Sequence, residues 1–301
     1  MEMSRRDVFK ALGVIGMAGL LSSKPMLRKD EVLTNEALKQ RYRLGKKPAR
    51  DAVKLKLRDY LDLSKLPTPP DDFGHEGLIS DWQVLGNDTV GDCAIAGPMH
   101  AVMLWNAEAN TAVNINTDCT IAVYSAITGY NPLDPYSDRG SDVQEVASYW
   151  RDTGMADADG HLHTIDAYVA LEPGNIEELK VAMFLFSGAG IGVRFPRQWM
   201  DAFNAGQVWD KLDAPELEGG HYIFGTGFHG GNINVVTWGQ NQLLTPAGYE
   251  QLCDEALVYL TEENLVNGQD IDGFNLAQLQ ADLAELTNPQ PVVEKFHEEA
   301  A

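Results

Sequence analysis

Leu85-Gly86-Asn87-Asp88-Thr89-Val90-Gly91-Asp92-Cys93 is a turn-rich run, and a helical pattern of Ile95, Met99, Met103 and Trp105 starts directly behind it. A thiol at that junction faces the unpaired amide donors of a helix N-terminus, which favour negative charge. The position suits a nucleophile. At a distance of 128 residues, Gly219-Gly220-His221-Tyr222 opens a β-type run, and a second run closes on Val235-Val236-Thr237-Trp238-Gly239. A cysteine at a helix start and a histidine on a remote strand make a candidate acyl-transfer pair.

The helix behind Cys93 is expected to reach about Ala109, with Gly97-Pro98 kinking it or confining its regular part to later residues. Thr120 to Thr128 reads as a second helix. Ser141 and Gln144 form a capping box for a third, which stops at Gly154. Asn175 caps a helix to about Phe186, Ala189 to Phe195 follows as a strand, and Pro196 to Phe203 is a short helix. His221 to Phe228 and Asn232 to Trp238 predict a hairpin with His221 at its entrance. Thr245-Pro246 begins a helix expected to run to about Leu260, and Phe274 to Leu286 is the last. Helices first and antiparallel strands afterwards describe an α+β domain with a cleft between the two parts.

The chain has 301 residues, 44% of them hydrophobic, enough for a sizeable core. No apolar stretch is long enough for a transmembrane helix. The net charge of −21 is unevenly spread: residues 1–66 hold 16 of the 23 basic side chains and only 8 of the 44 acidic ones. So acidic a main body repels phosphate backbones and excludes nucleic acid as its partner, while it attracts the chain's own basic arm or a cationic substrate. The bland alternative is an acidic surface kept for solubility. Cys93, Cys119 and Cys253 cannot build a disulfide framework; a bridge, if present, would join Cys119 to Cys253, and buried free thiols are the simpler reading.

Ser4-Arg5-Arg6-Asp7-Val8-Phe9-Lys10 before a Gly, Ala and Leu-rich stretch resembles a twin-arginine export signal over residues 1–30; an N-terminal helix docked on the body is the alternative. The signal implies the periplasm or cell envelope, the alternative the cytoplasm or a phage virion. Residues 31–79 read as a basic arm, ending in the loop after Pro67, Pro69 and Pro70. Residues 80–286 form the main domain and 287–301 an acidic tail. His161 and His163 point the same way on a short strand, but no Cys, Asp or third His stands at ligand spacing, so no metal or other cofactor is expected. His100 reads as a packing residue.

The Gly-Asp-Cys helix start, the helix from Asn175 leading to the strand at Phe195, the Gly-Gly-His-Tyr strand and the closing Trp-Gly resemble, in this order, the papain-like cysteine peptidases. The set Leu-Gly-Asn, Val-Gly-Asp-Cys and Val-Val-Thr-Trp-Gly is similar to an uncharacterised bacterial and phage group of that fold. The resemblance implies Cys93 as nucleophile, His221 as base, and Asn87 in the place of the oxyanion-hole glutamine. It implies Gly91, Gly220 and Trp238 as lining for a peptide or protein substrate. The asparagine that would orient the histidine is replaced by Val236. Thr237 is the nearest polar substitute, its side chain opposite to that of Val236, so a change of register is expected for it to serve. Two functions fit: a cysteine hydrolase acting on a peptide or amide bond, and an inactive binding or virion-associated module.

Overall fold

The computed structural model describes residues 42–50, 53–62, 65–66, 68–261 and 275–287. The expected export signal, the start of the basic arm up to residue 41 and the tail beyond 287 lie outside the described residues.

Helix α1 (Cys93–Glu108) is buried on every side from Cys93 to Leu104, so it is an interior helix. It runs unbroken through Gly97-Pro98, where a kink was expected. Pro98 sits early enough to forfeit one backbone bond without ending the helix. Gly97 lets the Tyr222 ring lie against the backbone, since a Cβ there would meet Tyr222 Cε1 at 2.2 Å. Asn116 caps α2 (Thr117–Thr128) by accepting from the Cys119 amide. The cap of α3 (Val143–Asp152) is Asp142, which accepts from the Glu145 amide at 2.9 Å. The expected Ser141–Gln144 box is therefore displaced by one residue, and the Ser141 main chain is used elsewhere.

Asn175 caps α4 (Ile176–Phe186) as its sequence predicts. Among the described residues there are nine strands: β1 (Phe73–Gly74), β2 (Met155–Ala156), β3 (Leu162–His163), β4 (Ala167–Leu171), β5 (Ala189–Pro196), β6 (Leu217–His229), β7 (Asn232–Thr237), β8 (Gln240–Leu244) and β9 (Cys253–Leu260). Seven form one antiparallel sheet in the order β4-β9-β5-β6-β7-β8, with β1 also on β6, and β2 pairs β3 apart from it. Helices α5 (Arg197–Asn204), α6 (Pro246–Leu252) and α7 (Leu276–Thr287) complete the α-helices among the described residues.

The helix expected over Thr245 to Leu260 ends at Leu252, and Cys253–Leu260 is an interior strand between β4 and β5. Its alternate residues enter different cores: Ala256, Val258 and Leu260 join the side of α4 to α6, while Leu257 and Tyr259 join the side of α1 to α3. A strand buried on both faces shows no polar alternation, and its apolar run mimics a helix. Cys93, Cys119 and Cys253 are all free and buried.

The segment expected as a basic arm enters the body. Leu55, Leu57 and Tyr60 belong to the sheet-side core, and the Ala170 amide donates to the Leu55 carbonyl at 2.9 Å. Leu57 is 0% exposed, so Leu57→Ala is expected to cost about 2–5 kcal/mol in urea unfolding; a detachable arm would give a loss near zero.

Candidate active site

Cys93 occupies the first turn of α1, presented by a loop in which Leu85 and Gly86 adopt left-handed φ of 55° and 95°. The Asn87 side chain donates to the Val90 carbonyl at 3.0 Å, so its amide serves the loop's own shape. The main-chain amides of Tyr222 and Gly45 approach the Cys93 sulfur. Burial nevertheless pushes this thiol up to about 12, opposed by those amides and assisted by the charge of Asp92. Asp92 is itself fully buried, and desolvation holds its carboxyl well above the usual range.

His221 lies on β6, next to Tyr222, and is 0% exposed. Its Nε2 is 2.7 Å from the Thr237 hydroxyl. Phe224 pairs with Val236, so Thr237 falls opposite Ile223 and shares the sheet face of His221. Val236 faces the α1 side, and β6 and β7 shift register between Gly225 and Gly227. Trp238 and Gly239, both at positive φ, make the tight turn into β8 and lay the indole on the imidazole with centroids 4.3 Å apart. Nδ1 of His221 has no hydrogen-bond partner among the described residues, and burial lowers the ring to about 3.

Residues 42–47 lie over both groups as a strap. The Tyr42 ring stacks on Trp238 at 4.9 Å, and the Trp238 indole donates to the Arg43 carbonyl at 3.2 Å. The Arg43 amide donates to Asn87, and the Lys46 amide donates to Gly220 at 3.1 Å. Ser141 donates to Gly45 at 2.8 Å and accepts from Lys47 at 2.9 Å. The strap thus runs parallel to Ser141 and antiparallel to Gly220. It fits because glycines line its course: a Cβ on Gly45 would meet the Gly91 oxygen at 1.9 Å, and one on Gly140 the Gly45 oxygen at 2.0 Å. Gly91 and Gly220, expected to hold substrate, therefore hold the chain's own backbone.

The Lys46 side chain, 0% exposed, reaches Asp254 and Glu255, each at 3.0 Å. Burial works to lower its pKa, but the charges of Glu255 and Asp254 outweigh that and raise it. Arg50 pairs with Asp142 at 2.8 Å as a second contact between the basic segment and the acidic body.

Among solved structures, xylellain, a cysteine protease from Xylella fastidiosa, matches with a TM-score of 0.52 at 13% identity, over 73% of this chain and 98% of its own. The chain has a papain-like fold. proCathepsin B S9 from Trypanosoma congolense matches at 0.50 and 12% identity, over 72% and 86% of the two chains. Procathepsin L 3 from Tenebrio molitor larval midgut matches at 0.50 and 12%, over 69% and 76%. No protein-family model matches the chain, and no curated protein is similar to it in sequence.

The structure brings His221, Thr237 and Trp238 together on one face of the sheet; Cys93 packs with Tyr222 and Val236 on the α1 side, and no hydrogen bond links its sulfur to the His221 ring among the described residues. The sequence reading overlooked Lys46, Ser141, Asp254 and Glu255. Gly45-Lys46-Lys47-Pro48 is the signal that pointed to them, an extended basic stretch followed by proline. His161 and His163 are not without an acidic neighbour, since Asp157 accepts from both rings at 3.3 Å and from two backbone amides. Asp157, Asp159 and His161 come within metal-holding distance of one another. His100 is buried with Nε2 3.0 Å from the Gln83 carbonyl, a packing residue lowered by burial to about 4.

His100 and His221 fix a pH dependence. Each binds a proton in the unfolded chain near pH 6.5 but resists it when folded, so stability falls as pH drops from about 6.5 towards 4, by up to about 1.4 kcal/mol per pH unit per histidine. Urea unfolding at pH 7, 5.5 and 4.5 checks this. In His100→Phe, which keeps an aromatic ring against Trp82, the slope is expected to be about halved.

Proposed function

We propose that the chain is a papain-like cysteine hydrolase that cleaves a peptide or amide bond, with Cys93 as nucleophile and His221 as base. The observation that carries this reading is the environment of His221: one ring nitrogen held by Thr237, the other unpartnered, and the ring fixed beneath Trp238. With Nε2–H donating to Thr237, the Nδ1 lone pair is left to take the thiol proton. The resulting thiolate attacks a carbonyl carbon, and the oxyanion is met by the Cys93 main-chain amide at the N-terminus of α1. His221 then protonates the leaving amine and activates the water that releases the acyl group. Asn87 is committed to Val90, so it is not assigned as a second oxyanion donor.

The strap makes the chain's resting state a closed one. Thiol and imidazole are both neutral under it, and charge separation requires water or substrate in its place. A second reading, an inactive papain-like module, draws on the same neutrality and on the absence of a hydrogen bond to Nδ1 among the described residues.

Iodoacetamide labelling separates the two. In Lys46→Ala, which removes the strap's charged anchor, Cys93 is expected to label at neutral pH at least tenfold faster than Cys119 or Cys253. The advantage is expected to vanish on adding His221→Ala. A Cys93 as slow as the other two in the loosened chain would favour the inactive module. Thr237→Val in the same background is expected to lower kcat on a peptide substrate by about 10- to 100-fold with little change in KM, because it frees the ring without touching substrate.

A further inference from the structure

The Lys46 side chain occupies a recess that fits its whole length. Gly192 on β5 makes room for the aliphatic stem, since a Cβ there would meet Lys46 Cε at 2.2 Å and Glu255 Cγ at 2.7 Å. At the end, the ammonium donates to Asp254, Glu255 and the Lys47 carbonyl, at 3.0–3.1 Å. Three acceptors meet its three hydrogens. Two acidic side chains face one cation, so with the lysine withdrawn the recess would hold two carboxylates and no countercharge, a costly state that a cation from elsewhere would relieve.

The backbone at Lys46 is bound as an extended ligand would be. It hydrogen-bonds Ser141 on the helical side and Gly220, the residue before His221, on the sheet side. Neither partner requires that the strand come from the same chain.

We propose that the recess between Gly192, Asp254 and Glu255 is the specificity pocket of the cleft, that it takes a lysine side chain of a peptide substrate, and that Lys46 is its intramolecular occupant. The word substrate rests on the hydrolase reading; the lysine pocket does not. Any outside peptide must displace the strap, and its own carbonyl then replaces that of Lys47 beside the ammonium.

The test uses the full-length chain carrying Cys93→Ser and Lys46→Ala, which empties the pocket and prevents turnover. The probes are fluorescein-labelled Arg-Leu-Gly-Lys-Lys-Pro-Ala, the sequence of residues 43–49, and the same peptide with norleucine for its first lysine. Fluorescence anisotropy is expected to show the lysine peptide binding at least tenfold tighter. Adding Asp254→Asn and Glu255→Gln is expected to abolish the difference. Equal binding of the two peptides, or a preference that survives the carboxamide changes, overturns the proposal. Should the double variant fail to fold by circular dichroism, the rate of Cys93 alkylation in Asp254→Asn/Glu255→Gln decides: at least a tenfold rise over the parent chain supports the latch, and an unchanged rate overturns it. Lysine preference in a chain whose Cys93 never shows enhanced reactivity would sink the hydrolase and leave the pocket standing; the reverse result would do the opposite.

Discussion

Water is kept from the Cys93 sulfur and the His221 ring, and the character of the site follows from that exclusion. Desolvation is the largest influence on each, and it acts in opposite directions on an acid and a base, raising the thiol and lowering the imidazole. Both are thereby neutral at ordinary pH. A helix N-terminus favours a thiolate, but dipole stabilisation of about 0.3–2 kcal/mol does not overcome burial on this scale. The exclusion depends partly on the strap: Gly45 lies by the sulfur, and Tyr42 covers the indole that covers the imidazole.

Such close approach of backbone to backbone is a matter of side-chain absence. Gly45, Gly91, Gly140 and Gly220 form a track in which one extended segment touches both halves of the fold, and a methyl group on Gly45, Gly140 or Gly220 would strike a main-chain atom. Hydrogen bonds position the strap, and Lys46 fixes its register. A buried ion pair contributes less to stability than to choice of arrangement, because desolvating three charged groups offsets much of their attraction. Shifting the strap by one residue would place a different side chain in the recess and leave Asp254 and Glu255 without a cation. The pairing thus selects one register over its neighbours.

The parts legible in the sequence were those set by local chemistry. Asn175 before Glu178, the turn-rich run before Cys93, and the two β-runs around Gly230-Gly231 each state their structure within a few residues. Cys253 to Leu260 did not, because a strand covered on both faces carries no alternation, and only its neighbours β4 and β5 make it a strand. Asp142 displaced Ser141 as a cap for a related reason: the Ser141 main chain is engaged by Gly45 and Lys47, partners nearly a hundred residues away in sequence. The strap itself was hidden, since the glycines that line its course, Gly91, Gly140 and Gly220, come from three separate segments. Charge asymmetry allowed for the basic segment meeting the acidic body, but equally for a cationic substrate or a surface kept for solubility, and it did not say where.

Thr237 determines how much can be asked of His221. A carboxamide or carboxylate presents a fixed acceptor to an imidazole N–H and so selects one tautomer, whereas a hydroxyl rotates and can donate as readily as accept. If Thr237 accepts, Nδ1 is a base; if it donates, Nδ1 carries the proton and cannot take another from the thiol. The unpartnered Nδ1 leaves this choice to whatever approaches next. In the proposed mechanism a thiol donating to Nδ1 favours the basic tautomer, so Cys93 would itself select the state that activates it. The strap bears on the sulfur as well, because the Gly45 amide it places there donates to a sulfur lone pair and works against the effect of burial on the thiol. Withdrawing the strap would remove that donor and, in the proposed mechanism, relieve the desolvation that keeps thiol and imidazole neutral.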